Sequence, residues 1–211
     1  LCEHFFALRT GGPADQALKK RAREKGDKGE AATPVGLPLG ATPANDSGPG
    51  TRLRLRTEVL AGTWEALLTG NADLAIGVDL GHSAPAGVKV ELLGTMGFVF
   101  AVAPHHPLAT HDEPIGDSVR MRHRAVAVAD SAQRLAPITV NLLPGQDVFT
   151  VPSMGAKLDA QLRGMGAGFL PEPMARPFIE RGELVECTVL RPQRSGKIAY
   201  AWRDHPRHPH G

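Results

Sequence analysis

The stretch that most constrains this chain runs from Gly94 to Ala109, GTMGFVFAVAPHHPLA, an apolar run that stops at a proline and opens into a histidine turn. Phe98, Val99, Phe100, Ala101, Val102 and Ala103 are continuously apolar, with aromatic and β-branched members. That pattern predicts a strand covered on both faces, as in a parallel sheet. Pro104 and Pro107 remove two backbone donors and forbid helix, so the strand must end there. Loops at the carboxyl ends of such strands are where open α/β sheets bind ligands. The residues on either side of the run each read as one α/β unit. The run is therefore expected to bridge two units, with a cleft between them as the ligand site.

Composition sets the outer bounds. The 211 residues, 42% hydrophobic, suffice for one large domain or two small ones with ordinary cores. A formal charge of +2 is too small to point to nucleic-acid binding by the chain itself. No basic-then-apolar leader and no run of about 18 apolar residues is present, so no membrane partner is expected and the chain reads as cytoplasmic. Cys2 and Cys187 lie far apart without metal-ligand spacing, which suits a reducing compartment. His105 and His106 are adjacent and poorly placed to chelate one ion, and Asp112 and Glu113 fall in a polar loop. The tail histidines His205, His208 and His210 lack an ordering second shell, so no metal and no cofactor is expected. Without a Gly-x-Ser-x-Gly elbow, a phosphate loop or paired carboxylates on one helix face, the chain is not expected to be an enzyme.

Residues 1–50 differ in texture from the rest. ATPVGLPLGATPANDSGPG, preceded at Ala14–Lys25 by a short basic helix, has no period of 2 or 3.6, so residues 1–50 are expected to be a poorly ordered or non-native segment. From Thr51 the pattern becomes regular. Leu53 and Leu55 alternate with Arg52, Arg54 and Arg56, which predicts an edge strand. Trp64, Leu67 and Leu68 then recur at helical spacing before Gly70, and Leu74–Val78 reads as a second, parallel strand completing a βαβ unit.

In the second half, Ala125–Ala129 and Val148–Val151 read as buried strands. A helix with Met154, Leu158, Gln161 and Leu162 near one face follows and stops at Gly164; Met154 and Met165 read as core fillers. Met165–Leu170 is expected to be a strand broken by Pro171, with Gly166 and Gly168 allowing close backbone approach. Pro173–Glu180 predicts a short helix closed by Gly182, Leu184 and Val185 start a return, and Ile198–Trp202 is a last strand. Ser153, at a strand-to-helix junction, can cap the helix, whose first-turn N–H groups favour an anion. A plain cap without a ligand fits that residue equally well.

RTEVLAGTWEALLTGNADLAIGV, then LGTMGFVFAVAPHHPLA, then VPSMGAKLDAQLRGMGAGFLPEPMARPFIERGELV, in this order and spacing, resemble the effector-binding domain of LysR-type transcriptional regulators. The resemblance runs from Thr51 to Arg203. It implies an α/β, two-lobed fold like type 2 periplasmic binding proteins, with two crossovers and a small molecule between the lobes. Residues 51–105 and 183–203 would form lobe I, 106–182 lobe II, and 204–211 a tail. The implied effector is small and anionic, a carboxylate or similar. Its implied contacts are Thr57 and Glu58, His105 and His106 in the turn, Thr150, Val151, Pro152 and Ser153, and Gly168 with Phe169.

Two departures qualify what the resemblance implies. No helix-turn-helix domain is present, so DNA is expected to be reached only through a domain missing from this chain. The family's first strand and helix have no counterpart in 1–50, where proline interrupts the only apolar run, VGLPLG, so the first lobe is expected to be incomplete. Effector binding would shift the lobes and bias how paired subunits, a homodimer or homotetramer, hold their DNA-binding heads. A solute-binding protein of a transporter, with the same lobes and cleft, is the alternative.

Overall fold

Phe98–Val102 forms strand β3, and the alternation of its side chains explains why every position reads as apolar. A computed structural model describes residues 54–80, 84–193 and 195–204. On one face of β3, Phe100 and Val102 pack with Leu108, Ile115, Ala167, Phe169, Cys187 and Val189. On the other, Val99 and Ala101 pack with Met154, Leu170, Ala175 and Leu184. The double burial is as expected, but the pairing is not parallel. β3 runs antiparallel to β6 (Gly168–Pro171), with Phe100 opposite Phe169, and antiparallel to β7 (Val185–Glu186). Continuous apolarity reports cover on two faces and carries no information on strand direction.

The order of the remaining elements is α1 (Ala61–Leu68), β1 (Leu74–Asp79), β2 (Val88–Met96), β3, a 3₁₀ turn at Pro107–Thr110, α2 (Asp117–Arg120), β4 (Ala125–Val128), β5 (Val148–Val151), α3 (Met154–Leu162), β6, α4 (Glu172–Glu180), β7 and β8 (Gly196–Arg203). One sheet has the order β1–β8–β2, a second β6–β3–β7, and β4 pairs in parallel with β5. A parallel bridge between Ala125 and Ala167 joins that pair to the second sheet. Helix α1 covers the first sheet through Trp64, Ala66 and Leu67 against Ala75, Val78 and Ala201.

Several expectations are corrected here. The edge strand at 52–56 is not formed among the described residues: 54–59 run outside any ladder and Leu55 is 60% exposed, while Arg52 and Leu53 lie outside the described residues. Alternation makes a strand only where a partner edge and a dry face exist, and Arg56 instead pairs with Glu58 at 2.7 Å. Consequently no βαβ unit forms at this point among the described residues; β1 pairs with β8, antiparallel. Leu68 and Met165 are exposed, whereas Met154 is buried. The nine-residue strand β2 had no clear sequence signal, because Leu92 and Leu93 on it both face solvent. The expected character of residues 1–50, the Ala14–Lys25 helix and the tail histidines lie outside the described residues.

Cys187 Sγ is buried and donates to the Leu108 carbonyl at 3.5 Å. Burial first, then the Glu113 and Glu186 carboxylates, push its pKa up to about 11. A thiol so rarely ionised is a poor nucleophile. Alkylation mapped by peptide mass spectrometry should leave Cys187 unlabelled at neutral pH in the native protein and labelled after unfolding; native labelling would contradict this packing.

Candidate effector cleft

Between the β1–β8–β2 sheet and the body built on β3 and β6 lies a cleft of about 110 Å³, several times the ~30 Å³ that a water molecule occupies. The first sheet contributes Gly77, Asp79 and Ile198; the second body contributes Phe98, Ala127, Val128, Met154, Lys157 and Phe169. Val59 and Leu60, at the entry to α1, and Thr139–Leu142 close its sides. A bulge between Ile76 and Val78 shapes the first wall. Gly77 sits there at φ 92, which a side chain would resist. Asn141 Nδ2 donates to Gln193 Oε1 at 2.8 Å, tying the side segment to the chain that leads into β8.

The wall residue Phe169 is fixed from behind. It meets Phe100 edge-on at 5.2 Å, and the buried Arg120 guanidinium lies 5.2 Å from the Phe100 ring and 5.5 Å from that of Phe169. Asp117 accepts from Arg120 at 3.2 Å and neutralises it. Gln161, fully buried, donates from Nε2 to the carbonyls of Ala101 at 2.6 Å and Gly168 at 3.0 Å, binding β3 to β6 where their ladder ends.

Of the residues expected at the site, Phe169 lines the cleft, and Gly168 borders a small void behind it that Lys157 and Phe169 also line. The others stand elsewhere. Thr57 is exposed, and Glu58 is buried, accepting from Ser131 Oγ at 2.8 Å. Val151 belongs to the core with Val126 and Ala160, and Thr150 and Pro152 are exposed. Ser153 Oγ accepts from Ala156 N at 3.1 Å, so its hydroxyl caps α3. His105 lies over Gly164. His106 is buried, and its Nδ1 accepts from Leu108 N at 3.1 Å to start the 3₁₀ turn.

Lys157 was missed by sequence reasoning. It falls between Met154 and Gln161 at helical spacing, on the face of α3 that points inward, and is only 9% exposed. A lysine in an apolar stripe was the available signal. Gly168 makes room for it: a Cβ there would stand 3.2 Å from Lys157 Cε and 3.4 Å from Nζ. Among the described residues no group of three or more His, Cys, Asp or Glu is placed to hold a metal, and no helix is long and apolar enough to cross a membrane.

Burial, then the neighbouring charge of His123, lowers the pKa of His106; burial and His111 lower that of His123, whose ring lies 5.2 Å away. The neutral form of each is favoured in the fold. As pH falls through the ordinary histidine value of 6.5, the unfolded chain therefore takes up protons more readily than the fold does. Stability present above that value should therefore be lost on acidification, read as a falling urea midpoint from about pH 7.5 to 5.5. His106→Asn, which keeps an acceptor for Leu108 N, should flatten that slope; an unchanged slope would count against this assignment.

This arrangement, two α/β bodies with a cleft between them, is that of the type 2 periplasmic-binding-protein-like domains. The family model for the LysR substrate binding domain matches residues 44–210, and the chain belongs to that family. It is 37% identical over 156 residues to the uncharacterized HTH-type transcriptional regulator YeeY of Escherichia coli (strain K12), a match covering 73% of this chain and 50% of that one. It is 36% identical over 140 residues to the HTH-type transcriptional activator AllS of Klebsiella pneumoniae, covering 66% and 52%. The chain thus spans about half the length of these curated relatives. Among solved structures, full-length LysG from Corynebacterium glutamicum is 26% identical, covering 76% of this chain and 54% of that one, with a TM-score of 0.51. The same regulator is known with bound effector Arg, at 23% identity, coverage of 73% and 52%, and a TM-score of 0.51. These relatives are regulators, and the transporter alternative finds no support among them.

Proposed function

We propose that this chain is the effector-sensing part of a LysR-type transcriptional regulator and takes a small anionic molecule, a carboxylate or similar, between its two lobes. The observation that carries the reading is the cleft of about 110 Å³ walled from both bodies, with the buried Lys157 on one wall. A buried ammonium is the natural counter-charge for an anion taken out of water. That LysG is known with bound effector Arg supports a small-molecule effector as the working principle. Thr150 and Ser153 remain the alternative anchor, reached if the α3 entry opens; their side chains do not line the cleft in the present arrangement.

The lobe division belongs to the same proposal. One lobe is built on β1–β8–β2 with α1, the other on β6–β3–β7 with β4 and β5. β3 and β7 bond only within the second set among the described residues, which supports drawing the crossings of this proposal near Gly97 and near 190–195, where the resemblance implied 105/106 and 182/183. Effector binding shifts the population between lobe arrangements, and subunits paired as a homodimer or homotetramer pass that shift to a DNA-binding domain outside this chain, in the cytoplasm.

A thermal-shift and calorimetric screen of the 211-residue chain against small organic acids and their uncharged amides tests the reading. At least one acid should raise the midpoint saturably while its amide does not. Stabilisation by amides alone, or by no compound, would overturn it.

A further inference from the structure

The segment that follows β4 is held against α1 by carboxylates bonding backbone amides, and these bonds join chain positions about seventy residues apart. Asp130 is the hub. Its Oδ2 accepts from Ala61 N at 3.1 Å and from Ile138 N at 2.7 Å; its Oδ1 accepts from Gly62 N at 3.0 Å and Ala132 N at 2.9 Å. Glu65 works in the opposite direction, from α1 to the loop. Its Oε2 accepts from Gln133 N at 2.9 Å, Arg134 N at 2.7 Å and Leu135 N at 3.0 Å, and these bonds, that from Arg134 foremost, lower its pKa. Ser131 Oγ accepts from Val59 N at 2.8 Å and donates to Glu58. Gly62 is what allows the approach, because a Cβ there would collide with Ser131 Oγ and lie 2.9 Å from Ala132 N.

The chain neighbours of these anchored amides are the side walls of the cleft. Val59 and Leu60 directly precede Ala61, and Thr139 to Leu142 directly follow Ile138. α1 has no side-chain cap of its own; Leu60, at φ 49, offers none, and Asp130 accepts from the amides of Ala61 and Gly62, the second of which also donates to the Val59 carbonyl. An oxygen that binds Ala61 and Ile138 together sets the distance between the two walls.

We propose that Asp130 is a positioning residue of the effector cleft, its carboxylate holding the α1 entry and the 138–142 segment as one unit so that the side walls are assembled before any effector arrives. This rests on the cleft being the effector site, but the following experiment requires no effector, so a failed ligand screen and a failed latch are told apart.

Hydrogen exchange resolved by residue on the unliganded chain should show Ala61 and Ile138 protected to the same degree, within about threefold, since one opening frees both. Asp130→Ala should speed exchange at both by about 10- to 100-fold, the usual worth of charge-assisted hydrogen bonds, and leave Phe100 and Leu170 on β3 and β6 unchanged. Acetate added to that variant should restore both amides in parallel, a response that a merely space-filling role would not give. Unequal protection in the wild-type chain, deprotection confined to α1, or acetate without effect would each overturn the proposal. If Asp130→Ala does not fold, the wild-type comparison decides alone.

Discussion

Gly166→Ala should lower stability by roughly 3 kcal/mol and the thermal midpoint by roughly 6–12 °C, at the upper end of what one added methyl group does. A Cβ at this position would stand 2.7 Å from the Arg124 carbonyl oxygen and 2.9 Å from Val126 Cγ2. The first of these is backbone and cannot rotate away. It also belongs to a ladder: Ala167 N donates to Arg124 O, and Val126 N to Ala167 O, both at 2.9 Å. Relieving the clash means separating the segment before β6 from β4, which breaks the join between the parallel pair and the second sheet. The same exchange at Gly155 is the control. That residue lies in the first turn of α3, a Cβ there would meet nothing nearer than Ser153 Oγ at 3.8 Å, and alanine is the better helix former. Gly155→Ala should therefore be neutral or stabilise by roughly 0.5 kcal/mol. Calorimetric unfolding of the two variants checks both signs; equal effects would mean that the close approach at Gly166 is absent.

Local signals in the sequence translated well. Phe98–Val102 is a strand because the six apolar residues Phe98–Ala103 need cover on both sides, and Pro104 ends the run. Ser153 caps α3, and the glycines at 164 and 182 stop α3 and α4 with φ of 72 and 71. What failed to translate depends on partners far along the chain. Nothing in FVFAV says which way its neighbours run, and the alternation at 52–56 describes a strand only when an edge is there to receive it. The 130–138 loop has no period at all. Its conformation is set by Asp130 and Glu65, which bond backbone amides, so no side-chain pattern records the contact. At the candidate site the family resemblance named Gly168 and Phe169 on the crossover strand; Phe169 lines the cleft and Gly168 the small void behind it. At the Ser153 end of α3 the sequence left an anion site and a plain helix cap equally open, because a helix N-terminus serves both. Lys157 escaped because a lysine is read as solvent-facing by default, and only the burial of Met154 and Gln161 on the same helix face reverses that.

The choice between those two ends of α3 can be made by one double-mutant cycle. Lys157→Met keeps an unbranched stem against Gly168 and removes the charge. For whichever carboxylate the screen returns, affinity should fall roughly 10- to 100-fold, because a hydrogen bond to a charged group is worth roughly 1.5–3 kcal/mol. Gly168→Ala leaves the charge in place, but its Cβ would crowd Lys157 Cε at 3.2 Å against a Val126 carbonyl also 3.2 Å away, so the ammonium must move. Affinity should drop there too. If both act through the position of one ammonium, the double variant should bind about as weakly as Lys157→Met alone, a coupling that independent sites would not show. Additive losses would mean that Gly168 shapes the cleft by another route. Full affinity in Lys157→Met, with loss in Ser153→Ala, would move the anion to the helix entry at Ser153. Ser153→Ala by itself should cost about 1 kcal/mol of stability, the worth of its bond to Ala156 N, and leave the affinity of the cleft unchanged.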